Sequence, residues 1–176
     1  MINMPPKCVV DTNVPKTANL AQNPDSVPEE LWACVLNCVE AIEHIVKNGG
    51  LVIDDGDEIF TEYRHQLRMK GCPGVGDRFM KWVHDNRWHL PQEDRVTITR
   101  NGKTYIEFPE HDDLLDFDDS DRKFVAVANA HSQKPPILEA TDSKWWGWKD
   151  GLSSVGITVI FLCRDYVKRK HKKKMG

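Results

Sequence analysis

Residues 8–13 read CVVDTN, a short β-branched run that stops at an acid and continues with a hydroxyl and an amide side chain. This pattern predicts a buried strand that ends at Asp11. Ligands of α/β proteins bind at the carboxyl ends of the strands, so Asp11 is well placed to hold a cationic group. Asp also commonly caps the helix that follows a strand. This stretch alone leaves both roles of Asp11 open.

The chain on the carboxyl side of this stretch alternates between helix and strand patterns. Apolar residues recur at helical spacing between 31 and 46, and Ser26 with Glu29 has the spacing of a capping box ahead of that helix. Further strands are predicted at 51–53, 137–140 and 157–162, and further helices at 59–67, 79–83, 118–131 and 145–152. Strands separated by helices imply right-handed crossovers. We therefore expect an α/β fold with three layers, α/β/α, around a central, mainly parallel sheet.

Residues 71–116 interrupt this alternation. Residues 95–99 and 103–107 alternate between apolar and polar side chains on either side of Asn101-Gly102, which is a strong signal for a β-hairpin. We expect a single domain over residues 1–163, with an insertion at about 71–116 that contains this hairpin. Residues 164–176 are expected to form a basic C-terminal tail.

The composition is that of a soluble globular protein with a core of its own. The 176 residues suit one domain, and no apolar run has the length of a membrane span. The N-terminus does not have the architecture of a signal peptide. Five scattered cysteines favour a reducing cytoplasm over a disulfide framework. Cys34 and Cys38 lie one helical turn apart, and without a second pair at a useful spacing they predict buried packing rather than a zinc site.

The net charge of −3 conceals an uneven distribution along the chain. Residues 164–176 carry seven basic side chains and one acidic one, which leaves 17 basic and 26 acidic side chains in residues 1–163. Such a tail is either a solvated, disordered end or a source of attraction to phosphate groups. The predicted nucleic-acid contacts in the tail are Lys168, Arg169, Lys170, Lys172, Lys173 and Lys174.

Four acids are expected near one edge of a parallel sheet. Asp11 and Asp142 follow predicted strands, Glu62 lies on the helix after the second strand, and Asp121 begins the helix before the third. Like charges at one edge are unfavourable unless a cation compensates them. Carboxylate oxygens suit Mg²⁺ or Mn²⁺ better than zinc, and a pair of such ions can activate water against a phosphodiester.

Four motifs resemble those of the PIN-domain nucleases, a family that includes toxin ribonucleases and RNA-processing enzymes. The four motifs are Val9–Val14, Ile59–Leu67, Asp118–Ala128 and Ile137–Trp145. They follow one another in the order that the family has, and residues 156–160 resemble its closing strand. The resemblance covers most of the chain except the insertion and the tail. It implies that Asp11, Glu62, Asp121 and Asp142 bind the metal. Asp118 or Asp119 would be an accessory acid, and Thr12 and Asn13 would orient the first ligand.

Three features depart from the family pattern. Pro15 stands where the toxins usually have an aliphatic residue, and Ala140 replaces a common threonine two residues before the last acid. The insertion between Glu62 and Asp118 is much longer than in the compact toxins.

The resemblance implies a cytoplasmic, metal-dependent endoribonuclease with a toxin or defence role. It also implies an RNA substrate, an inhibitory or ATPase protein partner and self-association. A structure-specific DNA nuclease and a degenerate module that binds RNA or protein are the alternatives. Asn13 argues against a phosphatase of the haloacid dehalogenase type, because that chemistry needs an acid there. Each acid also has an ordinary structural role open to it, as an exposed helical residue for Glu62, a helix cap for Asp121 and a turn residue for Asp142.

Overall fold

A computed structural model describes residues 2–176 as a mixed α/β fold with a small, mainly parallel sheet. The helices of these residues are α1 (Asn13–Ala18), α2 (Trp32–Asn48), α3 (Glu58–Gln66), α4 (Val75–Asn86), α5 (Arg122–Ala130), α6 (Lys144–Ser154) and α7 (Arg164–Met175). The strands are β1 (Val9–Val10), β2 (Ile53–Asp54), β3 (Arg95–Val96), β4 (Arg100–Asn101), β5 (Thr104–Tyr105), β6 (Ile137–Glu139) and β7 (Val159–Phe161). None of the described helices is both long and apolar enough to cross a membrane.

Three parallel strands form the centre of the fold, in the order β1-β6-β7. Val10 is opposite Leu138, and Glu139 is opposite Phe161. The strands β2 and β3 form a separate parallel pair, and a single bridge from Cys8 to Leu51 joins that region to β1. Since β1 and β6 are adjacent and parallel, the residues that follow them lie at the same edge of the sheet.

The insertion contributes to the hydrophobic core. Within the insertion, Phe79, Met80 and Leu114 are each at most 1% exposed. Phe117, directly after the insertion, is 2% exposed, and its ring lies 5.2 Å from the ring of Trp145 and 4.3 Å from that of Trp148. Trp145 is fully buried, while Trp146 is half-buried beside Phe161. Two of the three tryptophans of α6 therefore pack inward rather than offering a free stacking surface.

The predicted hairpin exists, but it is shorter than the sequence suggested. Its strands β4 and β5 have two residues each, and Gly102 has the positive φ of 64° that the turn requires. Arg95 and Val96 do not belong to the hairpin, because they pair with β2. Sequence alternation could not distinguish these two pairings, since both use extended residues.

The predicted capping box ahead of α2 is wrong. Ser26 bonds to the carbonyl of Asn23 within a separate 3₁₀ turn, and α2 begins only at Trp32. The helix ends as predicted, because Gly49 and Gly50 have φ values of 78° and 92°.

The structure also differs from the sequence analysis at the C-terminal helix and at two cysteines. Residues 164–175 form the helix α7, with Val167 fully buried, which excludes the disordered end that was one of the two alternatives for the basic segment. Cys34 and Cys163 form a disulfide with a Cα–Cα distance of 4.8 Å, whereas the sequence predicted unpaired cysteines. The two cysteines are 129 residues apart in the chain. Cys34 lies near the start of the first long predicted helix, and Cys163 directly follows the last predicted strand.

Candidate functional site

Asp11 lies at the carboxyl end of β1 and is only 4% exposed. Its backbone N–H donates to the carbonyl of Leu138 at 3.1 Å, which ties it to β6. One carboxylate oxygen, Oδ2, accepts a hydrogen bond from the N–H of Asn13 at 2.9 Å, at the start of α1. The capping role that the sequence left open is therefore present. This bond to the N–H of Asn13 uses only one of the two carboxylate oxygens of Asp11.

The predicted acids lie close enough to perturb one another. Burial raises the pKa of Asp11 to about 6, and the charges of Glu62 and Asp142 add to this effect. Burial also raises the pKa of Asp121 to about 8, with further contributions from Asp11, Asp118, Asp142 and Glu62. The structure thus brings together side chains from the end of β1, from α3, from the turn before α5 and from the loop after β6.

Asp121 differs from the other acids in having no direct partner. The described residues offer its partly exposed carboxylate neither a hydrogen-bond donor nor an ion pair, although it is surrounded by four other acids. An unpaired carboxylate in such surroundings is costly unless it is protonated or a cation is bound.

Two lysines partly balance the charge of the site. The ammonium group of Lys123 lies 2.9 Å from Glu62, and that of Lys144 lies 2.8 Å from Asp118. Lys144 holds the pKa of Asp118 below its usual range, and its own pKa is raised by Asp118 and, more weakly, by Asp142 and Asp121. Its side chain is 53% exposed, so its charge is accessible from outside the site.

Hydrogen bonds join the elements that carry the acids. The hydroxyl of Thr12 donates to Glu62, which links the end of β1 to α3. The hydroxyl of Thr141 donates to Oδ1 of Asn13 at 2.7 Å, which links the loop after β6 to α1. Of the two residues predicted to orient Asp11, Asn13 contacts it through its N–H, whereas the hydroxyl of Thr12 contacts Glu62 instead. Thr141, which sequence reasoning missed, directly follows Ala140 in the loop after β6.

Glu139 is a second residue that sequence reasoning missed. It is fully buried on β6, and its Oε1 accepts hydrogen bonds from the N–H groups of Ala140 and Asp142 at 2.9 and 3.1 Å. No donor reaches Oε2. Burial and the charge of Asp11 raise the pKa of Glu139 well above its usual value. An acid inside an otherwise apolar strand was the available sequence signal.

Several candidates lie outside the acidic group. Asp119 is exposed and forms an ion pair at 3.3 Å with Arg122, whose guanidinium also bonds to the carbonyl oxygens of Leu115 and Phe117. In α7, Lys170 donates to the carbonyl of Thr141 at 3.3 Å and so lies near Asp142. The other basic residues predicted to contact nucleic acid are exposed along α7, namely Lys168, Arg169, Lys172, Lys173 and Lys174.

The tightest cluster of metal-ligating atoms in residues 2–176 consists of sulfurs rather than carboxylates. The Sγ atoms of Cys34, Cys38 and Cys163 lie within 4.8 Å of one another. No group of three carboxylates in the described part of the chain converges in this way. The acids form a more open arrangement whose members interact through their charges.

No protein-family model matches the chain, and no curated protein or solved structure is significantly similar to it. The residues of the site and their chemistry are therefore the basis on which a function can be inferred.

Proposed function

We propose that the chain is a Mg²⁺- or Mn²⁺-dependent endoribonuclease with a three-layer, PIN-like fold. Asp11, Glu62, Asp121 and Asp142 are the proposed metal ligands, and RNA is the proposed substrate. This proposal rests on the acids of the site and on the resemblance of the four motifs that carry them.

The uncompensated carboxylate of Asp121 carries the proposal. Four other acids supply the negative charge around it, whereas the lysines that form ion pairs with members of the group are Lys123 and Lys144, and neither pairs with Asp121. Purely structural acids are normally paired with donors or cations, as Asp54 is with the N–H groups of Glu58 and Ile59. A divalent cation would provide the missing charge for Asp121.

The donor set fits a hard cation. All four proposed ligands offer carboxylate oxygens, and no histidine or cysteine is among them. When bound, Mg²⁺ or Mn²⁺ would lower the pKa of a water molecule and stabilise charge on a phosphodiester oxygen.

The remaining residues of the site have positioning and charge roles in this proposal. Thr12 orients Glu62, Asn13 is held by Thr141, and the N–H of Asn13 restrains Asp11. The half-exposed ammonium of Lys144 would attract a substrate phosphate, and the exposed lysines of α7 would attract the rest of the polyanion.

The test is cleavage of an end-labelled single-stranded RNA by the purified chain with Mn²⁺. We expect cleavage that EDTA and the substitution Asp11→Asn both abolish. The control is Asp25→Asn, the same chemical change at an exposed acid that lies in a separate 3₁₀ turn and bonds to no residue of the site. Cleavage that survives EDTA and Asp11→Asn would contradict the metal mechanism. A DNA strand of the same sequence tests the substrate class, and faster cleavage of that strand would favour the DNA nuclease.

A second candidate is a binding module without catalysis. It is favoured by the ion pairs of Lys123 with Glu62 and Lys144 with Asp118, which already neutralise two of the five acids. Calorimetric titration with Mn²⁺ separates the candidates. Binding that is lost in Asp142→Asn supports the nuclease, and no heat of binding to the unmodified chain supports the module.

A further inference from the structure

The three buried sulfurs join two distant parts of the chain. Cys34 and Cys38 lie one turn apart on α2, and Cys163 lies between β7 and α7. Cys34 and Cys163 are bonded, while Cys38 remains a free thiol next to them. The bond attaches the N-terminal end of the basic helix α7 to the main apolar helix of the core.

The bond is reachable from a surface groove. Cys34 and Cys163 both line a cavity of about 630 Å³ that lies between residues 2–5, α2 and the start of α7. Two basic and two acidic residues also line this groove, namely Arg164, Arg169, Glu30 and Asp165. Cys38 does not line the groove and is fully buried, and burial together with the charge of Glu139 raises the pKa of its thiol. A small thiol compound can thus approach the bonded pair, whereas Cys38 stays protonated and unreactive.

Few other contacts hold the helix α7 in place. Val167 is its only fully buried residue, and the N–H of Val167 bonds to the carbonyl of Cys163 at 3.0 Å. Further along the helix, Lys170 bonds to Thr141, and His171 lies against Gly147 of α6. Tyr166 is partly buried against the core, and the guanidinium of Arg164 lies over the ring of Trp146. The disulfide adds a covalent anchor directly before the first turn of this helix.

We propose that Cys34 and Cys163 are a site of reversible oxidation that secures the basic helix α7 to the core when oxidised and releases its first turns when reduced. A low-molecular-weight disulfide such as oxidised glutathione is the proposed oxidant. The two thiols lose two protons and two electrons as the Cys34–Cys163 bond forms, and the oxidant leaves as two molecules of thiol. Excess thiol reverses the exchange through a mixed disulfide.

This proposal is independent of nuclease activity. Where the proposed function also holds, reduction has an additional consequence, because Lys170 of α7 contacts the loop that carries Asp142. Loosening α7 would then weaken RNA binding without changing any of the four proposed ligands.

The test equilibrates the full-length chain in oxidised and in reduced glutathione, followed by thiol alkylation, mass spectrometry and hydrogen exchange. We expect Cys34 and Cys163 to gain and lose alkylation together, while the buried Cys8 and Cys38 remain thiols in both states and the exposed Cys72 forms only a mixed disulfide with glutathione. Amide exchange in α7 should be about tenfold faster in the reduced chain, with α2 unchanged beyond its first turn.

Variants separate the bond from other effects of the reductant. Cys163→Ser should show the fast exchange of α7 in both states, and Cys72→Ser, at an exposed free cysteine, should behave as the unmodified chain. Three results would overturn the proposal: a bond that resists excess reduced glutathione, equal exchange of α7 in both states, or a reduced chain whose three clustered thiols are blocked by a bound zinc ion. The comparison of the two states of the unmodified chain needs no variant to fold.

Discussion

Two clusters of reactive side chains lie near the buried strand β6, and they have opposite effects on the stability of the fold. The acidic cluster is Asp11, Glu62, Asp118, Asp121 and Asp142, and the sulfur cluster is Cys34, Cys38 and Cys163. The acidic cluster concentrates like charges and leaves Asp121 unpaired, so it costs stability. The sulfur cluster is uncharged and closed by a covalent bond, so it contributes stability. Glu139 lies between them, since the charge of Asp11 raises the pKa of Glu139 and the charge of Glu139 raises the pKa of Cys38.

The largest expected difference between the clusters is in catalysis. Asp11→Asn should lower RNA cleavage about a thousandfold, which corresponds to ~4 kcal/mol of barrier, because it removes a proposed metal ligand. Cys38→Ala changes a fully buried residue of the other cluster and should leave the specific activity of the folded protein within about threefold. The measurement is single-turnover cleavage with Mn²⁺, normalised to the folded fraction determined by circular dichroism. Similar losses in both variants would indicate that Asp11 acts through folding.

Sequence reasoning located the acidic cluster because sheet geometry gathers it. Asp11 and Asp142 follow adjacent parallel strands, so recognising the two strands was enough to place both acids at one edge. The same pattern at Asp54 has a different outcome, because both of its oxygens accept N–H groups of α3. An acid that follows a strand therefore predicts where its side chain lies in the fold. Its hydrogen-bond partners then determine whether its carboxylate is free to bind a cation.

The sulfur cluster could not be predicted in this way. No local pattern connects Cys34 to Cys163 across 129 residues, and their approach depends on how β7 and α2 pack. The helix α7 was missed for a similar reason, since its strongly basic sequence gives little apolar periodicity and one buried residue, Val167, provides its apolar anchor. The pairing of β3 with β2 likewise depends on tertiary structure. Most of the features that the sequence did not predict thus depend on contacts between residues that are far apart in the chain.

The stabilising role of the sulfur cluster is testable by unfolding. Reduction of the disulfide, or Cys34→Ala, should lower the free energy of unfolding by about 3 kcal/mol, because the bond closes a long loop in the unfolded chain. For a chain of this size that corresponds to a fall in Tm of roughly 6–12 °C. Calorimetry with and without reductant provides the measurement, and Cys72→Ser is the control. An unchanged Tm on reduction would show that the bond adds no net stability.

The destabilising role of the acidic cluster predicts an unusual dependence on pH. Asp11 and Asp121 have pKa values of about 6 and about 8 in the folded chain, against 3.8 for an unperturbed Asp. Between pH 4 and 8 the folded chain therefore binds more protons than the unfolded chain, so the free energy of unfolding falls as the pH rises. Without metal, Tm should decrease by roughly 5 °C over this range.

Two further comparisons test this dependence of Tm on pH. Asp121→Asn removes the group with the larger shift and should flatten the pH dependence of Tm, whereas Asp25→Asn should not. Mn²⁺ should raise Tm more at pH 8 than at pH 5, because bound metal and protons compete for the same carboxylates. A Tm of the metal-free chain that rises from pH 5 to 8 would show that the acids are not mutually destabilising.

The smallest expected effect concerns the hydrogen bonds that position the acids. Asn13→Ala removes the acceptor of the Thr141 hydroxyl but keeps the N–H that bonds to Asp11. We expect about tenfold slower cleavage, in line with the loss of a residue that orients a ligand, and a weaker apparent affinity for Mn²⁺. Thr141→Val removes the donor of the same hydrogen bond from the loop after β6. Because the two side chains act through one contact, the double variant should lose no more than the more affected single variant. Additive losses would mean that Asn13 and Thr141 act on the site separately.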